Sequence, residues 1–455
     1  MKILHAIHDF LPGHRAGSEI YAFELCRELS TRGHGVRVLC AEYDETREHG
    51  SLLQRSHEGV PVSELVNNWA FASFEESYQS PKVNGALETV LDEMDPDVVH
   101  VHNLLNLSLD LPALARERGI PSVATLHDFT LVCPSGGQRV HLAEEHVCID
   151  IDRDRCRRCF PDTHFYKQMQ RNRHLAEPAA PGLAGRLRSG LAGLFGGNSN
   201  AGAATPIPVS ARDIERRLAK VRRVYEAIDL FVAPSVALGQ DFRRLGMPAE
   251  RIRVSDYGFV PLERRDRPPS AGKLRIGFVG TVIWHKGVHV LVEAARHLPP
   301  ERYELLVFGD PTLIPDYGAS LEQEARGLPI RFMGTFEGDA AADIYSRIDV
   351  LVVPSLWPEN SPLVIHEAFM AGVPVVGSNL GGTPGLVTHE RNGLIYEAYS
   401  AGELAAALQS LIDDPERLRR FAEALPEVKR IQEDVREWEA VYHEVLERGE
   451  RGNAV

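Results

Sequence analysis

A chain of 455 residues, 44% of them hydrophobic, carries enough apolar material for about two or three cores. Its net charge of −14 argues against nucleic acid as a principal partner. The opening MKILHAIHDF is too short in its apolar run for a secretory signal, and no run of about 18 apolar residues follows, so a cytoplasmic protein is expected. Charge is unevenly spread: residues 151–224 hold 15 Lys and Arg against 6 Asp and Glu, a balance of +9 against −23 for the rest. Such a segment suits an anionic partner or peripheral contact with an inner membrane surface, or is a solvated insertion.

In chain order, Lys2 to Ile7 reads as a strand, Gly17 to Thr31 as a helix and RGHGVRVLCA as a turn feeding a second strand. The intervening loop lacks G-x-G-x-x-G, which disfavours a nicotinamide or flavin enzyme. Gly17 lets backbone approach a ligand closely, or is a plain loop glycine. Asp97 to Val101 and Pro121 to Thr125 are further parallel strands, ending in His102-Asn103 and His127-Asp128. Ligands of open α/β sheets gather at such strand ends.

Cys133, Cys148, Cys156 and Cys159 crowd one segment as C-x14-C-x7-C-x2-C, whose last pair has zinc-ligand spacing. The alternatives are a closed, structural zinc site and four free thiols, with His141, His146 and His164 able to replace one thiol. Residues 178–208, rich in Ala, Gly, Pro and Ser, read as a mobile flap within an insertion spanning about 133–226. Ser210 opens a helix with a capping-box pattern and a basic face that includes Arg216, Arg217, Lys220 and Arg223.

Asp229 to Ala233 and Ile252 to Ser255 complete a first sheet, and LERRDRPPSAGK has the composition of a linker. A second unit begins near Lys273 with LRIGFVG, and Lys286-Gly287 stands where the next helix opens. An ammonium there is placed to meet an anion at the mouth of the helix. Tyr303 to Gly309 and Ile330 to Gly334 add strands before the most informative stretch, VVPSLWPENSPLVIHEAFMAGVPVVGSNLGGT. In it a buried strand, Asp349 to Val353, leads to a helix from Pro362 to Met370 with Ser361 as its expected N-cap. That helix aims backbone N–H groups, beginning near Leu363, and a positive dipole end into the crevice, which suits a phosphate. Glu359 and Glu367 flank it, and paired carboxylates beside an anion site suggest hydroxyl binding. Gly381-Gly382 permits close backbone approach.

The E-x7-E spacing, with its surrounding PS…ENSP…EA…AG.PVV…GG pattern, resembles the retaining family 4 glycosyltransferases of GT-B fold, and the likeness extends over nearly the whole chain. The resemblance implies an α/β architecture of two facing Rossmann-like domains with a central cleft. The expected bounds are 1–262 for an acceptor-side domain, 273–425 for a nucleotide-sugar domain, and 426–455 for a terminal helix returning to the first. It implies transfer of a sugar from a nucleotide diphosphate sugar to an acceptor hydroxyl, anionic or lipid-linked given the basic segment, in glycan, polysaccharide or glycolipid synthesis. No cofactor or obligatory metal is implied. By the same resemblance His127 faces the reacting sugar and acceptor, Glu359 contacts the transferred sugar and Glu367 binds the ribose. Lys286, the Leu363 backbone, Gly17, Gly381 and Gly382 border the diphosphate. Two departures stand out: Ala16-Gly17-Ser18-Glu19 replaces a Gly-Gly pair before Glu, and Thr281 stands where an Arg usually follows the first glycine. A GT-B epimerase or phosphorylase, or a nucleotide-binding subunit without turnover, are the competing readings.

Overall fold

The structure, a computed structural model, describes residues 1–176, 206–266, 272–335 and 341–452. The flap expected at 178–208 lies almost wholly outside the described residues, as does the middle of the linker, 267–271. The first unit is built on an eight-stranded sheet. Its strands are β1 (Lys2–Ala6), β2 (Gly35–Glu42), β3 (Leu52–His57), β4 (Val60–Val66), β5 (Val98–Val101) and β6 (Ser122–Thr125), continued by β9 (Leu230–Ala233) and β10 (Ile252–Val254). Between them β7 (Val140–His141) and β8 (His146–Val147) form a separate small hairpin. The sheet order is β10-β9-β6-β5-β1-β2-β4-β3, with only β3 antiparallel to its neighbour.

The second unit is a six-stranded, wholly parallel sheet in the order β13-β12-β11-β14-β15-β16. Its strands are β11 (Leu274–Val279), β12 (Tyr303–Phe308), β13 (Ile330–Gly334), β14 (Val350–Val353), β15 (Val375–Ser378) and β16 (Gly393–Tyr396). Central strands such as β5, β6, β11 and β14 are buried along their whole length because helices cover both faces. These are two doubly wound α/β units, the fold class expected from the sequence.

The hairpin β3–β4 was not anticipated. Its two-residue turn, Glu58-Gly59, takes φ of 44° and 85°, the positive pair that matches strand twist. Since β3 is an edge strand with half-exposed residues, it carries none of the apolar continuity that marked the other strands.

The chain passes between the units twice, and the two passes lie side by side: Phe259 N–H donates to Lys429 O (2.9 Å) and Ile431 N–H to Phe259 O (2.9 Å). The final helix, Ile431–Gly452, then packs on the first unit, where Val435, Trp438, Tyr442 and Val445 share a cluster with Ile3, Leu25 and Val36. Asp434 is the polar pin of this contact, accepting from Tyr21 Oη (2.8 Å), Gly258 N (3.1 Å) and Lys429 Nζ (2.7 Å). Burial raises its carboxyl above the ordinary range, and Lys429 works against that rise. Trp438 lies 4.1 Å from the His100 ring and donates to Tyr21 Oη at 2.9 Å. Trp438→Ala should cost about 3–5 kcal/mol of stability in denaturant unfolding; a loss under about 1 kcal/mol would mean the helix does not brace the first unit.

Candidate active site

The carboxyl ends of both sheets face one cleft, with His127 on the first unit and Lys286, Glu359 and the helix start at Leu363 on the second. On the second unit, β11 leads into the turn Trp284–Lys286, and Gly287 takes φ +74° where a Cβ would strike Pro354 O at 1.9 Å. The loop after β14 is thereby pressed against this turn, and Leu356 N–H donates to His285 O at 2.8 Å. Lys286 Nζ reaches Glu359 Oε1 at 2.7 Å, Ser355 Oγ donates to the same oxygen at 2.6 Å, and the ammonium stands 5.4 Å from the Trp357 ring centre. Burial alone would raise the Glu359 carboxyl; Lys286, with Ser355 and Trp357, outweighs it and holds the group below the usual range.

The helix Leu363–Met370 starts without a side-chain cap, because Pro362 occupies the N-cap position. Ser361, expected as the cap, instead donates to Asp256 Oδ1 (2.8 Å) and meets His366 Nε2 (2.9 Å), tying the helix to the first unit. A helix start with no side-chain cap leaves backbone N–H groups that can donate to an anion. Glu367, a turn further on, accepts from Tyr345 Oη at 2.8 Å, and burial raises its carboxyl.

The glycines are explained by packing. A Cβ on Gly17 would lie 2.6 Å from Leu363 Cδ1, so the starts of two helices from different units meet there. Gly381, at φ +58°, and Gly382 lie against the backbone of Glu359 and Asn360, with a Cβ on either passing within 2.3 Å of a carbonyl oxygen. Gly382 N–H donates to Glu359 O at 2.6 Å, so this turn fixes the glutamate's backbone.

On the first unit, His127 ends a buried ladder. His5 Nδ1 lies 3.0 Å from His102 Nε2, His102 Nδ1 lies 3.0 Å from His127 Nε2, and His127 Nδ1 lies 2.9 Å from Tyr257 Oη. Burial lowers His127 and His5 to about 3 each, and depresses His100 and His102 strongly. Both ring nitrogens of His127 thus have protein partners, and its backbone carbonyl accepts from Asn360 Nδ2 across the cleft. Asp128 closes its own loop, accepting from Thr130 N (2.7 Å) and Asn103 Nδ2 (2.8 Å).

Several site residues escaped the sequence reading. Ser355 sat inside the motif but was not singled out, whereas Tyr257, Tyr345 and Asp256 come from distant segments with no local signal. His285, beside Lys286 in the turn after β11, is 1% exposed with neither ring nitrogen hydrogen-bonded to a described residue. Thr281 itself is exposed. Arg217 does not lie on a solvated face: it is buried and donates to Leu131 O (2.8 Å) and Thr130 O (2.7 Å). Around it Arg153, Arg155, Arg157, Arg158, Arg171, Arg216 and Lys220 are ion-paired within the protein, with Glu45, Asp110 and Glu144 the partners from outside the basic segment. Among the described residues no helix is long and apolar enough to cross a membrane.

Two Rossmann-like units closing on a shared cleft define a GT-B fold. The model described as "Glycosyltransferase Family 4" matches residues 15–159 and that described as "Glycosyl transferases group 1" matches residues 260–428. Together they take in most of the chain, which belongs to the family 4 GT-B glycosyltransferases. A D-inositol 3-phosphate glycosyltransferase of Catenulispora acidiphila is 36% identical over 194 residues, 39% of this chain and 43% of that one. The sulfoquinovosyl transferase SQD2 of Arabidopsis thaliana is 28% identical over 43% of this chain and 40% of its own. The chain spans about half the length of the curated relatives it matches. Among solved structures, sucrose-phosphate synthase from Thermosynechococcus elongatus superposes with a TM-score of 0.63 at 18% identity, covering 100% of this chain and 99% of that one. Anabaena HepE in complex with UDP and glucose gives a TM-score of 0.58 at 17% identity, covering 100% and 98%.

Four neutral buried histidines make the fold acid-sensitive. Their folded-state values lie below the ordinary 6.5, so the unfolded chain takes up protons first and stability falls as pH drops below about 6.5. Unfolding free energy should decline by roughly 1 kcal/mol per histidine between pH 7 and 5.5 in denaturant titrations; a flat profile would show that the ladder is not held neutral. Lys286→Met strands a buried carboxylate and should cost about 2 kcal/mol, the lysine end being a quarter exposed. Adding Glu359→Gln should recover part of the loss at pH 7, and the single variant's deficit should shrink toward acid as Glu359 protonates in both proteins.

Proposed function

We propose that this chain transfers a sugar, with retention, from a nucleotide diphosphate sugar to an acceptor hydroxyl. The observation that carries this reading is the Lys286–Glu359 pair, held at 2.7 Å beside the uncapped helix start at Leu363 and opposite His127. In this reading the diphosphate lies against the Leu363 N–H groups and Lys286, whose positive charge offsets the charge that grows on the leaving oxygen. Glu367 with Tyr345 receives the ribose hydroxyls, and Glu359 the sugar.

Glu359 already accepts from Lys286 and Ser355, which makes it a poor nucleophile, so attack from the face of the departing diphosphate is preferred. The acceptor oxygen bonds to the anomeric carbon as the bond to the diphosphate oxygen breaks, and the acceptor's proton passes to that oxygen. His127, lowered to about 3 by burial and with both ring nitrogens taken by His102 and Tyr257, borders the sugar and acceptor as a fixed wall rather than taking the proton, since an efficient base titrates near working pH. Lys286 supplies the charge stabilisation, so the reaction is metal-independent. A reading as a binding subunit without turnover draws on exposed Thr281, where relatives would place a second cation.

Thermal unfolding with UDP, GDP, ADP and NAD in turn tests the cleft. The matching nucleoside diphosphate, at about 100 times its dissociation constant, should stabilise by roughly 2.7 kcal/mol, and Glu367→Ala should abolish the effect. Stabilisation by NAD alone, or by none of the four, would overturn the assignment; binding without release of diphosphate from the cognate sugar donor would favour the silent subunit.

A further inference from the structure

Four thiols from three separate stretches of chain line one cavity. Cys133 lies in the loop that follows Asp128, and Cys148 directly follows β8, its N–H donating to Arg139 O at 2.7 Å. Cys156 and Cys159 occupy one turn of the helix Arg153–Asp162. All four face the same cavity, along with Ser135, Arg139 and Arg155, and none is in a disulfide. The segment's own elements are short: β7 and β8 have 2 residues each, and the helix buries only Phe160, which packs into the first unit's core.

We propose that Cys133, Cys148, Cys156 and Cys159 bind one zinc ion as a closed, structural tetrathiolate site. The helix turn supplies two ligands, the loop and the hairpin one each, so the sulfurs approach from three directions, as a tetrahedral ion requires. Four thiols lose four protons to bind Zn²⁺, and the resulting centre carries two negative charges. Arg139, 3% exposed, and Arg155 line the same cavity and offset them. Among the described residues no three of these sulfurs lie within 4.8 Å of one another, so binding draws the hairpin and helix turn inward. The histidines considered as substitutes do not line the cavity: His146 bonds Arg155 at 2.9 Å, His164 lies on Phe165, and His141 faces Glu144.

The site would brace the wall beside His127. Leu131, Pro134 and Phe160, which flank the cysteines, line a second cavity together with His127 and Asp128. On the transferase reading, this wall belongs to the acceptor side.

The test is metal analysis of the full-length protein purified without chelator, which needs no assumption about activity. About one zinc per chain is expected, with a drop of roughly tenfold or more in Cys156→Ser and in Cys148→Ser. Should those variants fail to fold, replacing zinc by Co²⁺ in the unmutated chain should give thiolate-to-metal charge-transfer absorption and the spectrum of a tetrahedral ion. Folded protein with less than about 0.1 zinc per chain, stoichiometric iron, or disulfides between these cysteines would each overturn the proposal. Nucleotide binding measured on the same samples separates failure of the zinc site from failure of the transferase reading.

Discussion

The geometry of the cleft depends on one buried charge pair. A carboxylate as enclosed as Glu359 is costly unless paired, and Lys286, 73 residues earlier in the chain, is the cation that makes it tolerable. Satisfying that pair forces the loop after β11 against the loop after β14. Gly287 is then needed because Pro354 leaves no room for a Cβ, and Gly381 and Gly382 are needed because the next turn folds over Glu359. The remaining ties, Ser378 Oγ to Ser355 O (2.7 Å) and Tyr399 Oη to Leu356 O (2.7 Å), fasten the same loop from β15 and beyond β16. The electrostatic demand of two side chains thus accounts for the conformation of three loops.

What was legible in the sequence follows from burial. Parallel strands covered on both faces are largely apolar, so β1, β5, β6, β11 and β14 announced themselves, whereas β3 at the sheet edge did not. Capping is local chemistry, and the box at Ser210 and Asp213 formed as its spelling indicated. Ser361 had the same local credentials, yet Asp256, 105 residues away, took its hydroxyl. Arg217 misled for the same reason, since its carbonyl partners lie 86 and 87 residues upstream. Glycine positions were readable, but not what they accommodate: Gly17 makes room for Leu363, a residue from the opposite unit.

The first unit contributes a different kind of chemistry. Its histidines are stacked in a dry interior, with His100 and His102 centroids 4.2 Å apart and His100 held between Thr125 Oγ1 (2.8 Å) and Tyr442 Oη (2.7 Å). Neutral imidazoles in such a chain must alternate donor and acceptor, so the tautomer of one dictates that of the next. His127 is therefore oriented by residues as distant as His5, and burial holds it neutral.

The paired crossing at Phe259 and Ile431 bears on how such a protein can move. A single connecting strand would act as a swivel, leaving the two units free to twist as well as to open. Here the outgoing and returning segments are laced to each other by hydrogen bonds at Lys429, Phe259 and Ile431, forming a short two-ply ribbon. Twisting one unit against the other would have to break both of these bonds, a resistance that a single connecting strand could not offer.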